Sequence, residues 1–256
     1  SPLSSSSAAS DVYKRQVRDG EDGPEVFLRH RPGRTPLGRV GLPGGALSEA
    51  DADACAWFGP DPAHWARVLG TTDRRCARQQ VVAAVRELHD EAGVLLAGRT
   101  DADVVLDARG ETWGGGGSSL EEGAESLPRM LAARGLGLRT DLLRPVARWH
   151  SAPHAHRRFD TAVFAAAVPP LQRPLERPET APALQAWVSA RRAVAGPVPL
   201  PGPAGEEGVA PLDQVATPLT QGLVRRVAAH RTAAAFLLSL TPVSYTHLTL
   251  PTKRIV

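Results

Sequence analysis

One long helix constrains the fold of this chain more than any other feature. The sequence predicts it over residues 73–92, with Gly93 at the position of a C-cap glycine. At about 100° per residue, four apolar residues fall within a narrow arc and form a stripe that should be buried: Val81, Val85, Leu88 and Ala92. The helix is therefore expected to pack one face on a core and to leave another face available for chemistry.

Three carboxylates share that other face. Glu87, Asp90 and Glu91 stand at i, i+3 and i+4, which places them together on the helix surface. Like charges at this spacing destabilise a helix by about 0.2–0.5 kcal/mol per pair, and the helix dipole disfavours anions near the C-terminus. Such a cluster calls for a compensating cation, and oxygen ligands suit Mg²⁺ or Mn²⁺. A solvated acidic face explains the spacing equally well.

The residues around the acids favour a specific interpretation. Residues 86–94 read Arg-Glu-Leu-His-Asp-Glu-Ala-Gly-Val, which resembles the second half of the Nudix box, Arg-Glu-aliphatic-x-Glu-Glu-x-Gly-aliphatic. Gly44 and Gly45, preceded by Pro43, resemble the opening of the box. Asp90 replaces the first Glu of the usual pair, and Asp51 stands where the family has Glu.

The long segment between the two halves of the box resembles one branch of the family. Residues 52–78 are interpreted as an insertion, as in the branch that includes the peroxisomal coenzyme A diphosphatases. Residues 149–153 and 157–161 look like a loop-and-strand signature of the same branch. The resemblance covers most of residues 17–240, but the dedicated coenzyme A signature is not evident upstream of the box.

The resemblance implies a fold and an activity. The expected fold is an α/β/α sandwich of the α/β class, with a mixed sheet and an inserted helical segment over the cleft. The implied activity is metal-dependent hydrolysis of the diphosphate bond in a nucleoside-diphosphate-linked substrate. Coenzyme A or an acyl derivative, a dinucleotide such as NADH, and a nucleotide sugar all remain open. The alternative is a Nudix-fold protein that binds a nucleotide without hydrolysing it.

The resemblance also assigns roles to particular residues. Mg²⁺ or Mn²⁺ would be held by Glu87, Asp90 and Glu91. The catalytic residues would be Glu87, Glu91 and Arg86, with Arg86 orienting a carboxylate by ion pairing. Substrate contacts would come from Gly44, Gly45, Arg157 and Arg158, since arginine suits phosphate. Arg29 is interpreted as ordinary basic surface in preference to a phosphate or nucleotide contact, and His89 is expected to be exposed.

The two ends of the chain are set apart by their composition. Both lysines, both tyrosines and the isoleucine lie in residues 1–16 or 243–256, which resemble a translated sequencing-library transposon end and its reverse complement. We interpret both ends as artefactual or disordered tails, leaving one hydrolase domain over residues 17–242. Any strand upstream of Val17 is then expected to have been lost.

Removing the tails changes what the charge implies. The tails carry the whole net charge of +3, so the remaining body is formally neutral and gives no support for a nucleic-acid partner. No apolar run reaches the roughly 18–20 residues of a membrane helix. Cys55 and Cys76 lack metal-ligand spacing, which indicates free thiols in a reducing cytoplasm. The expected partner is a small nucleotide-type substrate, and the oligomeric state is left open.

Several further elements are predicted from local signals. Asp61 and Pro62 should begin a short helix, and Thr217 with Pro218 should begin a last helix that breaks before Leu240. Strands are predicted over residues 25–29, 142–150, 159–168 and 186–188. Residues 196–211, which are rich in proline and glycine, are predicted to form a loop.

Overall fold

The computed structural model describes residues 9–30, 38–106, 126–150, 159–172, 185–201 and 207–240. Its strands are β1 (Ala9–Gly20), β2 (Gly23–His30), β3 (Val40–Gly41), β4 (Gly44–Ala46), β5 (Ala56–Phe58), β6 (Ala97–Gly98), β7 (Gly137–Arg139), β8 (Arg144–His150), β9 (Phe159–Ala167), β10 (Gln185–Ser189), β11 (Pro197–Pro201) and β12 (Glu207–Pro211). Its helices are α1 (Pro62–Val68), α2 (Arg74–Ala92), α3 (Leu127–Ala133), α4 (Ala190–Ala195), α5 (Leu212–Val215), α6 (Pro218–Ala228) and α7 (Ala233–Ser239).

A mixed sheet forms the centre of the molecule. Its strand order is β10-β2-β1-β9-β8, with β3 added to β2 and β4 added to β1. β1 runs antiparallel to β2 and parallel to β9. Successive residues of a strand face opposite sides, so Phe27 joins a core shared with α2 whereas Val26 joins a core shared with α6. The predicted α/β/α sandwich with a mixed sheet is confirmed.

Helix α2 begins and ends where its capping residues predict. The Asp73 carboxylate accepts hydrogen bonds from the backbone N–H groups of Arg75 and Cys76, and Gly93 closes the helix in the left-handed conformation at φ 65°. The helix is buried on more than one side, because the sheet, α1 and α3 all pack against it. His89 is consequently buried, and the expectation that it is exposed is wrong.

The segment interpreted as an insertion contains α1. Asp61 caps this helix through the backbone N–H of His64, and Pro62 occupies the first turn, as predicted. Trp65 is buried with its ring 5.8 Å from that of Phe164, so α1 is anchored to the sheet beside α2. β5 joins β6 and β7 in a small separate sheet. That residues 52–78 are an insertion in the evolutionary sense stays a prediction.

The position of β1 bears on the interpretation of the N-terminal tail. The backbone of residues 9–16 lies in the central sheet, in register with residues 159–166 of β9. A strand upstream of Val17 was expected to have been lost. Residues 9–16 of this chain take its place in the sheet. The foreign origin of residues 1–16 stays a prediction, and residues 243–256 lie outside the described residues.

The prediction of a loop over residues 196–211 is wrong. β11 and β12 form an antiparallel ribbon there, with Pro197 opposite Pro211. Proline lacks a backbone N–H, but a two-stranded ribbon has two outer edges whose donors need no partner. Val198 is fully buried in the core beside α6, which anchors the ribbon.

The remaining local predictions hold. Strands occupy the predicted regions at β2, β8, β9 and β10. Thr217 caps α6 through the backbone N–H of Thr220, and the chain resumes as α7 after a break. None of the helices in the described ranges combines the length and the apolar character that crossing a lipid bilayer requires.

Candidate active site

The last two turns of α2 meet the glycine loop at one end of the sheet. β4 pairs with β1, with Gly44 opposite Tyr13 and Gly45 opposite Val12. This pairing holds the backbone of both glycines against the carboxylates of α2. The structure thus brings together the two halves of the motif that the sequence separates by a long segment.

Arg86 forms the most extensive set of contacts in the site. Its guanidinium binds both oxygens of Asp51, with Nε–Oδ1 2.8 Å and Nη2–Oδ2 3.1 Å, and donates to Glu87 Oε1 at 2.6 Å. It also donates to the carbonyl oxygen of Ala46 at 3.0 Å. Arg86 therefore joins the loop, a buried carboxylate and α2 in one network.

Asp51 is fully buried and is fixed from its own side of the network as well. It lies in a short 3₁₀ turn, Glu49–Ala52, whose N-cap is Ser48. The backbone N–H of Ser48 donates to Asp51 Oδ2 at 2.7 Å, completing a capping box. The buried carboxylate of Asp51 thus pairs with Arg86.

Glu87 packs directly against the glycine loop. A Cβ atom placed on Gly45 would lie 2.7 Å from the carboxyl carbon of Glu87, so the carboxylate would have to move away from the loop. Glycine at this position therefore allows the carboxylate to approach the loop backbone. Only 9 % of Glu87 is exposed, and its carboxylate is held by Arg86.

Glu91 is held from two directions. Its Oε2 accepts a hydrogen bond from the backbone N–H of Gly44 at 2.8 Å, and its Oε1 forms an ion pair with Arg29. The interpretation of Arg29 as basic surface is therefore wrong. The sequence contained a signal for this position of Arg29. Side chains alternate between the two faces of β2, so Arg29 faces the same side of the sheet as Phe27, which packs in the core with α2.

Asp90 is the more exposed member of the acidic cluster. Its carboxylate lies 3.9 Å from Nη1 of Arg86 and 3.5 Å from Nδ1 of the buried His89. Its side chain is 28 % exposed, against 12 % for Glu87 and 10 % for Glu91. Asp90 thus presents its oxygens to solvent at the edge of the cluster.

The charges of the cluster decide whether a divalent cation fits. Among the described residues, four carboxylates form ion pairs with two guanidinium groups, and they outnumber these paired groups by two formal charges. Within the described residues, no three His, Cys, Asp or Glu side chains already converge as a metal site. The carboxylates instead turn towards arginines. Their oxygen chemistry and their excess charge nonetheless fit Mg²⁺ or Mn²⁺, with Glu87, Asp90 and Glu91 as the donor set.

Two other groups of residues bear on the chemistry. Arg157 and Arg158 lie outside the described residues, so their position relative to the cleft stays a prediction. Burial raises the pKa of the Cys55 and Cys76 thiols above the ordinary value, although Arg78 opposes the shift at Cys55 and Arg148 opposes it at Cys76. A raised pKa keeps a thiol protonated at neutral pH, which does not suit a nucleophile.

The sheet order, the position of α2 and the glycine loop define a Nudix-type α/β/α sandwich. Among solved structures, a NUDIX hydrolase from Alicyclobacillus acidocaldarius matches with a TM-score of 0.62 and 20 % identity, covering 94 % of this chain and 100 % of that one. A MutT/nudix family protein from Enterococcus faecalis gives a TM-score of 0.44 and 11 % identity over 94 % of this chain and 70 % of that one, too weak a likeness to carry weight. No protein-family model and no curated protein matches the chain.

Proposed function

We propose that this protein is a metal-dependent hydrolase that cleaves the diphosphate bond of a nucleoside-diphosphate-linked substrate. The observation that carries the proposal is the acidic cluster of α2, whose Glu87 and Glu91 lie against the backbone of Gly45 and Gly44. Together with Asp51, the carboxylates of the cluster outnumber by two the guanidinium groups that pair with them among the described residues. The Nudix-type fold supports it, because the cluster occupies the helix that carries the resemblance to the Nudix box.

Each residue of the cluster has a part in the proposed reaction. Mg²⁺ or Mn²⁺ bound by Glu87, Asp90 and Glu91 would neutralise the diphosphate and lower the pKa of an attacking water. Arg86 orients Glu87, since its Nη1 donates a charge-assisted hydrogen bond to Oε1 at 2.6 Å. Gly44 fixes Glu91 through its backbone N–H. Glu87 and Glu91 are therefore the catalytic carboxylates, and Arg86 is a positioning residue.

The substrate is proposed as a class. Coenzyme A or an acyl derivative follows from the resemblance to one branch of the family, and a dinucleotide or a nucleotide sugar shares the diphosphate group. Arg157 and Arg158 are proposed as phosphate contacts because the guanidinium fork matches phosphate oxygens. A cytoplasmic location is part of the proposal, supported by the two free cysteines.

One observation favours a second candidate function. The carboxylates of the described residues pair with arginines and do not converge on a shared point. A protein that binds a nucleotide without hydrolysing it would have no need of a convergent metal site.

A turnover screen separates the two functions. The unsubstituted protein would be incubated with coenzyme A, NADH, ADP-ribose and nucleotide sugars in the presence of Mg²⁺ or Mn²⁺. Glu87→Gln and Glu91→Gln should each lower kcat by about tenfold or more, because each removes a charged metal ligand. Glu25→Gln is the matched control, since Glu25 lies on β2 and pairs with Arg18 away from α2. A folded chain that binds these ligands with no turnover, unchanged by either α2 substitution, would establish the binding role instead.

A further inference from the structure

Arg29 reaches the acidic cluster from the sheet. It lies on β2, with its backbone in register with Gln185 of β10 on one side and Gly41 of β3 on the other. Its guanidinium forms an ion pair with Glu91, which lies 62 positions further along the chain. A fixed backbone thus carries a long cationic side chain whose end contacts a proposed metal ligand.

The two arginines of the site are held to different degrees. Arg86 donates hydrogen bonds to two carboxylates and a backbone carbonyl, and its side chain is 15 % exposed. Arg29 hydrogen-bonds to Glu91 among the described residues, and its side chain is 34 % exposed. Arg86 is therefore tied into the network by several contacts, whereas the more exposed guanidinium of Arg29 is the easier of the two for a competing cation to displace.

The charges give this difference a consequence. The positive charge of Arg86 is shared among Asp51, Glu87 and Asp90, whereas Arg29 forms its ion pair with Glu91. A divalent cation that takes Glu91 as a ligand must compete with this guanidinium for the same oxygen. The displaced guanidinium would then stand beside the cation with no anion of its own, and its planar fork matches a phosphate group.

We propose that Arg29 is an exchangeable counter-ion, which neutralises Glu91 in the metal-free protein and transfers to a diphosphate oxygen of the substrate when metal binds. This inference rests on the proposed function and assigns Arg29 a substrate-binding role within it. Metal and diphosphate then bind cooperatively, because metal binding to Glu91 frees Arg29 for the diphosphate and diphosphate binding to Arg29 frees Glu91 for the metal. The effect is reciprocal, so a bound diphosphate must also tighten the metal.

The test measures binding rather than turnover. Mn²⁺ affinity would be measured by calorimetry on the unsubstituted protein, on Arg29→Ala and on Arg18→Ala. Arg18 is the matched control, because it is an equally exposed arginine on the neighbouring strand that pairs with Glu25 rather than α2. Removing the competitor should tighten Mn²⁺ binding by about three- to tenfold in Arg29→Ala, the range expected for a partly exposed ion pair. Arg18→Ala should leave the affinity unchanged.

The second measurement uses methylenediphosphonate, a diphosphate that resists hydrolysis, in saturating Mn²⁺. Arg29→Ala should bind it about three- to tenfold more weakly, so the same substitution moves the two affinities in opposite directions. A general disturbance of the site would weaken both. Arg29→Gln, which keeps the length of the side chain but not its charge, gives the same comparison if Arg29→Ala does not fold.

The outcomes separate this inference from the proposed function. Mn²⁺ binding and turnover that both depend on Glu91, together with unchanged affinities in Arg29→Ala, would overturn the role of Arg29 and leave the hydrolase intact. Tighter Mn²⁺ binding and weaker methylenediphosphonate binding in Arg29→Ala, in a protein that turns over no substrate, would support Arg29 as the counter-ion and refute the hydrolase. Failure of Mn²⁺ to bind either the unsubstituted protein or Arg29→Ala would overturn both the role of Arg29 and the proposed function.

Discussion

Asp51 is the residue whose replacement should test the architecture of the site most directly. Its carboxylate accepts hydrogen bonds from Nε and Nη2 of Arg86 and from the backbone N–H of Ser48, and it is fully buried. Asp51→Asn preserves the shape of the side chain. It removes the charge, however, and replaces one accepting oxygen with a donating amide. In either orientation that amide faces an N–H donor, so at least one hydrogen bond is lost.

The expected loss of stability follows from this geometry. Breaking a buried ion pair by removing one partner typically costs about 3–5 kcal/mol. The loss here should be smaller, because Arg86 keeps Glu87 and the carbonyl of Ala46 and is slightly exposed. We therefore expect Asp51→Asn to lower the free energy of unfolding by about 2–3 kcal/mol.

The assay is urea unfolding at pH 7 with a metal chelator, followed by far-ultraviolet circular dichroism. Asp53→Asn is the matched control, because Asp53 lies two residues away and pairs with Arg129, whose side chain is 70 % exposed. An exposed pair of this kind should contribute less than about 1 kcal/mol. If Asp51→Asn cost no more than Asp53→Asn, the account of Arg86 as a network held by a buried carboxylate would be refuted.

Two further predictions concern the glycine loop and the thiols. Gly45→Ala should force the Glu87 carboxylate away from the loop, lowering the free energy of unfolding by about 1–3 kcal/mol. Gly222→Ala is the control, because Gly222 lies in α6 with open space around it, and it should raise the free energy of unfolding by about 0.4–1 kcal/mol. Equal changes for the two variants in urea unfolding would contradict the prediction. Cys55 and Cys76 should react more slowly with iodoacetamide at pH 8 than free cysteine, because their raised pKa reduces the thiolate fraction. The rate of alkylation would be measured by mass spectrometry. A rate faster than that of free cysteine would be evidence against the burial of these thiols.

Local signals in the sequence predicted the elements that carry the site. The caps of α1, α2 and α6 depend on hydrogen bonds between residues two or three positions apart, so residue type and order suffice to place them. The acidic cluster was equally accessible, because helical spacing alone places Glu87 and Glu91 on one face.

The errors arose where distant segments decide the outcome. Arg29 pairs with a residue of α2 only because β2 and the helix pack together, and the periodicity of neither segment specifies that partner. His89 is buried because elements pack on several sides of α2, although its place in the motif suggests exposure. The ribbon of β11 and β12 depends on the burial of Val198, a tertiary effect that overrides the proline-rich composition.

The parallel pairing of β1 with β9 affects how the chain folds during its synthesis. The register joins residues 9–17 to residues 159–167, so β1 emerges from the ribosome long before its partner exists. At about 5–20 residues per second, that interval is roughly 7–30 s. Throughout it, the hairpin of β1 and β2 presents an unpaired strand edge, which is where nascent chains aggregate. Expression at a lowered temperature, or with chaperones that cover exposed edges, should therefore increase the soluble yield.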